Sequence, residues 1–321
     1  MSNIGIVLAV YNGGNFLAQQ LDSIADQGEC GWLLCARDDG SLDHSPEILE
    51  AYAKRDARFH VVSDSHGNLG AGGNFAELMT VDALASHPYI AFSDQDDVWR
   101  QDKLSRQMDM IRNMEQRFPN SPLLVHSDMQ VVDARLNQIF PSFMSYQGIR
   151  HEANDPLNVL LVQNFVTGCT IMVNRKLLDI ALPIPDEALM HDWWLALCAA
   201  VFGRIGYIDK PLLQYRQHGN NEVGAKQLSS FMNPISGRWR QRWLEGRDNL
   251  FQSMKQAQAL SERIHEHDPD NRYLPIVEAY ATLQYDSPMQ RIKKINHLGI
   301  HSQSSVRQML LLSRLLAAPR R

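Results

Sequence analysis

Short apolar runs alternate with helical amphipathic patterns through the first 126 residues, and this alternation restricts the possible folds more than any other feature. Ile4 to Val10 is an apolar run of strand length, and Leu17, Leu21 and Ile24 then recur at helical spacing. Trp32 to Ala36 predicts a second strand, followed by a helix marked by Ile48, Leu49 and Tyr52. The series continues with Phe59 to Val62, then Phe75, Leu78 and Met79. It ends with Tyr89 to Phe92, a helix at Leu104, Met108 and Ile111, and a strand at Leu123 to His126. Repeated strand–helix order implies an α/β fold with a mainly parallel sheet flanked by helices. Ligands in such open sheets bind beyond the carboxyl ends of the strands, so chemistry is expected there. Further strands fit Cys169 to Val173, Arg204 to Ile208 and Leu212 to Tyr215, and from about residue 226 the pattern is helical.

Charge divides the chain at the same place. The net charge of −5 supplies no global field for nucleic acid, which is not an expected partner. Residues 226–321 carry 15 basic and 8 acidic side chains, a net of +7, against 16 and 28 in the first 225, a net of −12. The expected organisation is a domain over 1–225 and a helical C-terminal extension over 226–321. With 321 residues and 44% hydrophobic content, the chain has enough material for a sizeable core, which excludes a disordered or disulfide-dense protein. Cys30, Cys35, Cys169 and Cys198 have no metal or redox spacing and read as reduced thiols. No basic segment precedes the first apolar run, and no run approaches the ~18 apolar residues of a membrane span. The expected location is the cytoplasm.

Each strand end is polar. The first stops at Tyr11-Asn12-Gly13-Gly14-Asn15, and the second at Arg37-Asp38-Asp39-Gly40-Ser41, with Asp43 beyond. Asn68-Leu69-Gly70-Ala71-Gly72-Gly73-Asn74 follows the third, and Ser93-Asp94-Gln95-Asp96-Asp97 ends the fourth. Asp-Gly-Ser alone is a common turn, and an acid before a helix can serve its dipole. The glycines at 70–73 lack dinucleotide spacing and follow the third strand, which excludes an NAD fingerprint. Three acids within four residues repel one another unless a cation or hydrogen bonds offset them. Oxygen ligands suit Mg²⁺ or Mn²⁺, which commonly bridge a protein carboxylate to substrate phosphates. A metal–diphosphate site follows. Further on, His191-Asp192-Trp193-Trp194 places an acid beside two indoles, where Asp192 serves as a helix cap or a general base and the rings offer an apolar face to sugars. Tyr215-Arg216-Gln217-His218 ends another strand, with His218 either structural or a phosphate or metal contact.

Together these motifs resemble the family 2 inverting glycosyltransferases, which have the GT-A fold. The likeness covers roughly residues 3–222 and rests on Val10-Tyr11-Asn12, Arg37 to Asp43, Asn68-Leu69-Gly70, Asp94 to Asp97, Gly168-Cys169-Thr170 and His191-Asp192. Ser93 to Trp99, His191 to Trp194 and Tyr215 to His218 look most like the bacterial rhamnosyltransferase branch. The resemblance places Val10, Tyr11, Asn12, Asp39, Asn68, Gly70, Asn74, Asp94 and Gln95 around the nucleotide and donor. Within that set, Asp39 would read the pyrimidine edge, and Asp94 would contact ribose or a metal-bound water. Asp96 and His218 would hold a divalent metal (Mn²⁺ or Mg²⁺), Asp192 would be the catalytic base, and His191, Trp193 and Trp194 would meet the acceptor. Asp97 is an additional acid without an assigned role.

The implied reaction moves a sugar, with dTDP-rhamnose as first candidate donor and a UDP-hexose as second, to a glycan or lipid-linked acceptor. Two other classes stay open. A nucleotidyltransferase would release pyrophosphate, but the first turn lacks the basic residue that a triphosphate loop carries. A non-catalytic sugar-nucleotide-binding module would bind without turnover. Arg238 to Trp243 and the stretch from Arg291 to Leu316 set basic residues beside apolar stripes. These fit either a peripheral helix on the inner face of the plasma membrane or a helical bundle packed on the catalytic domain or a dimer partner.

Overall fold

The computed structural model describes residues 4–28, 31–218 and 239–317. Two compact units emerge: Met1–Phe143, Val166–Asp179 and Arg204–Ala225 form the first, and Met144–Phe165, Ile180–Gly203 and Lys226–Arg321 the second. The border expected at 225/226 lies outside the described residues. The segments 144–165 and 180–203 join the helical unit as well, because short helices there pack with the long C-terminal ones.

The first unit is built on nine strands: β1 (Ile4–Val10), β2 (Trp32–Asp38), β3 (Phe59–Val61), β4 (Tyr89–Ser93), β5 (Val98–Trp99), β6 (Leu123–Val132), β7 (Gln138–Phe140), β8 (Met172–Asn174) and β9 (Arg204–Arg216). They form one mixed, mostly parallel sheet in the order β3-β2-β1-β4-β8-β6-β9-β5, with β7 beside β6. β1 pairs in parallel with both β2 and β4, and the long β6–β9 ladder is parallel too. Antiparallel β8 joins β4 to β6. Helices α1 (Leu17–Ala25), α2 (Ser45–Arg55), α3 (Gly70–Met79) and α4 (Lys103–Arg117) follow the first strands as their periodicity predicts. Leu17, Leu21 and Ile24 are wholly buried, as are Leu104, Met108 and Ile111 of α4 to within a few per cent.

Three expectations change. The strand predicted from Cys169 begins at Met172, because Gly168–Thr170 forms a 3₁₀ turn closed by Thr170 N–H and Oγ1, both donating to the Thr167 carbonyl. The two strands predicted at 204–208 and 212–215 are one strand, β9, whose register with β6 shifts around Asp128 opposite Pro211. β5 and β7, at two and three residues, are too short for periodicity to reveal.

The strand order reverses at β1: the chain steps outward to β2 and β3, then returns to the other side of β1 as β4. Such a switch point leaves a crevice between the carboxyl ends of two neighbouring strands. Here those ends are Val10-Tyr11 and Ser93-Asp94.

The second unit contains α6 (Pro156–Leu160), α8 (His191–Phe202), α9 (Trp239–His267), α10 (Leu274–Ala281), α11 (Pro288–His297) and α12 (Ser305–Ala317); α5 (Phe143–Gln147) and α7 (Arg175–Ala181) cross the borders between units. α8 is apolar all round and forms the core, with Trp194 to Val201 buried. Arg291 is wholly buried, and its guanidinium donates to the carbonyls of Leu283, Gln284 and Leu315, which joins the ends of three helical segments. The predicted tail stripe therefore splits: Arg291, Leu311 and Leu315 are core, whereas Lys293, Met309 and Leu316 are exposed. Arg238 lies outside the described residues. Among the described residues, no helix is long and apolar enough to cross a membrane.

Candidate active site

The crevice is assembled by loops clasping one another. Gln95 uses its side-chain amide like a strand neighbour: Tyr11 N–H donates to Oε1 at 2.7 Å, and Nε2 donates to the Tyr11 carbonyl at 2.9 Å. The next residues must run close beneath that amide, and a Cβ on Gly13 would collide with it. Asn12, in the left-handed region at φ 50°, locks the β1 loop to the β2 loop. Its N–H donates to Ser41 Oγ at 2.7 Å, and its Oδ1 accepts from Leu42 N–H at 2.8 Å. Gly14 N–H donates to Asp43 at 2.8 Å. Burial opposes ionisation of Asp43, but hydrogen bonds from Ser45 and Gly14 hold its carboxyl below the usual range. Tyr11 emerges from this clasp with its ring 48% exposed.

Three residues expected at the nucleotide, Asp39, Asn74 and Val10, are buried, and Asn68 beside them is exposed. Asp39 is 2% exposed and both carboxylate oxygens are engaged: Oδ1 by Arg37 at 2.6 Å and Leu69 N–H at 2.8 Å, Oδ2 by Gly70 N–H at 2.8 Å. Asn74 exchanges hydrogen bonds with Arg37, and Asn68 Nδ2 donates to the Asp39 carbonyl. The Val10 side chain is core, and its carbonyl accepts from Asp39 N–H. Arg37 is the centre of this knot, spanning Asp39 and Asp64, and its hydrogen bond to Asp64 pushes its already high pKa up further. Asp39, Asn74 and the Val10 carbonyl thus tie the end of β2 to the loop that follows β3. They fix Gly70, whose φ of +69° starts α3, against the end of β2.

The acidic loop has an inner and an outer side. Asp97 is fully buried, with Oδ1 accepting from Arg216 N–H at 3.2 Å. Burial first, and then Asp96 and Asp94, raise its carboxyl well above the usual range. Asp94, Asp97 and Cys169 bring ligand-type atoms within 4.8 Å of one another. Lys103, buried beneath them, lies over the Trp99 ring at 3.9 Å and donates to Gln107 at 3.1 Å, and burial lowers its pKa to about 7. Asp96 is partly buried. Its Oδ2 stands 2.8 Å from His218 Nε2, with both side chains 14% exposed. Adjacent ligands of an octahedral ion with bonds of about 2.1 Å stand roughly 3.0 Å apart, so this carboxylate–imidazole pair fits two neighbouring corners of a divalent cation. A second cluster, Asp64, His66 and Glu77, already has the Arg37 guanidinium on Asp64.

The sequence gives no direct sign of what supports the acidic loop. Gln20, Ser23 and Gln27 lie on the buried face of α1 or just beyond its end. Gln20 donates to Ser93 Oγ at 2.6 Å and Ser23 Oγ accepts from Trp99 N–H at 3.0 Å. Gln27 donates to the Arg100 carbonyl at 2.8 Å and accepts from Leu104 N–H at 3.1 Å. The available signal is polar residues interleaved with a strongly apolar helical face.

The His191–Trp194 segment belongs to the second unit. Trp194 is wholly buried with Nε1 donating to the Ala181 carbonyl at 2.8 Å, and His191 is 3% exposed. Both lie in the core of this unit, because the first turn of the apolar helix α8 is drawn into it. Trp193 is half-buried with its indole on the Leu160 carbonyl at 2.6 Å. Asp192 is half-buried, with Oδ1 accepting from Asn164 Nδ2 at 3.2 Å.

The dTDP-rhamnosyl transferase RfbG of Shigella flexneri is 29% identical over 231 residues, covering 68% of this chain and 74% of that protein. The Escherichia coli glucosyltransferase WfgD, named for transfer from UDP-Glc to α-D-GlcNAc-diphosphoundecaprenol, is 25% identical over 178 residues, covering 55% and 62%. Among solved structures, S. aureus TarS 1–349 with UDP-GlcNAc superposes with a TM-score of 0.53 at 15% identity, covering 96% of this chain and 92% of that one. The Pyrobaculum calidifontis mannosyltransferase PcManGT, solved with GDP-Man and Mn²⁺, gives 0.52 at 14% identity, covering 92% and 73%. The fold is GT-A. A family model described as glycosyl transferase family 2 matches residues 5–179, more than half of the chain, and the protein belongs to that family.

Proposed function

We propose that this glycosyltransferase is a metal-assisted, inverting enzyme that moves a sugar, with rhamnose from dTDP-rhamnose the first choice and a UDP-hexose the second, onto a hydroxyl of a glycan or lipid-linked acceptor. The observation that carries the reading is the pairing of Tyr11 with Gln95 and of Asp96 with His218 around the acidic loop that follows β4, beside the β1/β4 switch point. The likeness to RfbG supports the donor order, and the PcManGT complex supports a divalent ion.

In this proposal the Tyr11 ring offers an apolar face to the base, and Gln95 keeps the Tyr11 backbone fixed beneath it. Asp96 and His218 would hold Mn²⁺ or Mg²⁺, which when bound offsets the negative charge gathering on the departing diphosphate. Asp192 accepts the proton of the acceptor hydroxyl while that oxygen bonds to the anomeric carbon. The bond from that carbon to the diphosphate oxygen breaks on the opposite side, and its electron pair leaves with the nucleotide. One displacement inverts the anomeric centre, and no second carboxylate is required. The hydrogen bond from Asn164 fixes the orientation of the Asp192 carboxylate. The exposed Trp239, Met309 and Leu316, beside a unit rich in basic residues, support membrane contact through the C-terminal helices. Co-sedimentation of the full chain with anionic vesicles tests that part.

The donor assignment is tested by incubating the full chain with Mn²⁺, a panel of nucleotide sugars and a lipid-diphosphate glycan acceptor. Transfer from dTDP-rhamnose with an inverted anomeric centre is expected. Retention of configuration, or release of pyrophosphate instead of nucleoside diphosphate, contradicts the proposal.

A further inference from the structure

His218 lies two residues beyond the end of β9, so the placement of its ring depends on side-chain contacts as well as on the ladder. Two residues outside the acidic motif supply them. The Phe16 ring, at the start of α1, lies 4.7 Å from the His218 ring, and the Arg216 guanidinium carbon lies 4.5 Å from the same Phe16 ring. Arg216 is 1% exposed and reaches three separate acceptors: Nε to the Asp96 carbonyl at 2.8 Å, Nη1 to the Ala134 carbonyl at 2.7 Å, and Nη2 to Gln19 Oε1 at 2.7 Å. Its own N–H donates to Asp97.

We propose that Phe16 and Arg216 are positioning residues, which hold the Asp96 carboxylate and the His218 imidazole together as a ready pair for a divalent cation. The inference rests on the metal reading of that pair given above.

The chemistry of the contacts supports it. Arg216 binds the carbonyl of Asp96 and not its carboxylate, so the loop is fixed while the carboxylate is left to His218. Three acceptors in diverging directions match the planar fork of a guanidinium, which a lysine ammonium does not reproduce. The buried positive charge also stands behind a loop with three acids, and offsets part of their mutual repulsion without occupying the outer position. Phe16 presents one aromatic ring to both the guanidinium and the imidazole, and so couples the end of β9 to the start of α1. Asp97 acquires a role in the same device: it anchors the backbone two residues before His218.

The test is Mn²⁺ binding to the full chain, read from the electron paramagnetic resonance of the free ion, with thermal melting in parallel. Supporting residues around a metal site are commonly worth about 10–100-fold in affinity. Phe16→Leu, which keeps apolar bulk but removes the ring, is expected to weaken Mn²⁺ binding about tenfold without a matching loss of melting temperature, while Phe16→Tyr restores wild-type affinity. Arg216→Lys should weaken it at least as much; should that variant not fold, Phe16→Leu carries the test. Asp96→Asn is the reference. Loss of the ion in Asp96→Asn with wild-type affinity in Phe16→Leu overturns the positioning role alone. Wild-type affinity in Asp96→Asn, or no Mn²⁺ binding by the unaltered chain, overturns the metal reading and this inference together.

Discussion

The sheet rim and the first turn of α8 both set acids beside aromatic rings, yet they use them differently. At the rim, Tyr11 stays half exposed and Asp96 and His218 keep partial access, while Asp97, Lys103 and Arg216 are buried behind them. At α8, Trp194 and His191 sink into the core, and only Asp192 and Trp193 keep any access. The difference lies in what the backbone requires. A strand end runs out of ladder partners, so its side chains must close the loops, and Gln95, Asn12 and Asp43 do so. A helix satisfies its own backbone and buries whichever side chains face the core, however suggestive they are in sequence.

The contrast sharpens most at Asp192, the acid of the α8 turn proposed to act chemically. Asp192→Asn should lower kcat about 10²–10⁴-fold with donor binding unchanged, since that is the usual contribution of a general base. Steady-state transfer together with donor calorimetry checks it, and near-normal turnover removes Asp192 from the role. Trp194 should behave in the opposite manner. Trp194→Ala should cost about 3–5 kcal/mol of stability in urea melts, as for other large core truncations. An acceptor-contact residue would instead raise KM and leave the melt unchanged.

A subtler break concerns His191. Burial lowers its pKa to about 3 from the ordinary 6.5, so it remains neutral in the folded chain. Between those values the unfolded chain takes up a proton that the folded one refuses. Stability is therefore full above pH 6.5 and falls as the pH drops toward 3. At pH 5 the loss is about 2 kcal/mol from this group. His191→Leu should be the less acid-sensitive protein when melts at pH 7.5 and pH 5 are compared. Equal sensitivity would show that the imidazole is solvated.

The helical phases of α1 and α4 and the strands β1, β2 and β4 were legible because each buries a single face or a whole run. The crevice was legible because Tyr11, Asp94 and His218 end strands that the topology brings together. The Asp39 contacts were not legible: a carboxylate in a turn reads the same in sequence whether or not it closes on the Leu69 and Gly70 N–H groups. The burial of Trp194 was hidden for the matching reason, since an indole suits a sugar and a core equally well. The supporting roles of Gln20, Ser23, Phe16 and Arg216 depend on contacts across 70 to 200 residues of chain, which no local pattern encodes.

The most direct measurement is calorimetry of a nucleotide-sugar donor against the full chain, with and without Mn²⁺, for the natural sequence and Asp96→Ala. Mn²⁺ should strengthen donor binding in the natural sequence, and Asp96→Ala should lose most of that gain while keeping the metal-free affinity. Donor affinity that ignores Mn²⁺ in both proteins, or the same Mn²⁺ gain in Asp96→Ala, would contradict the account.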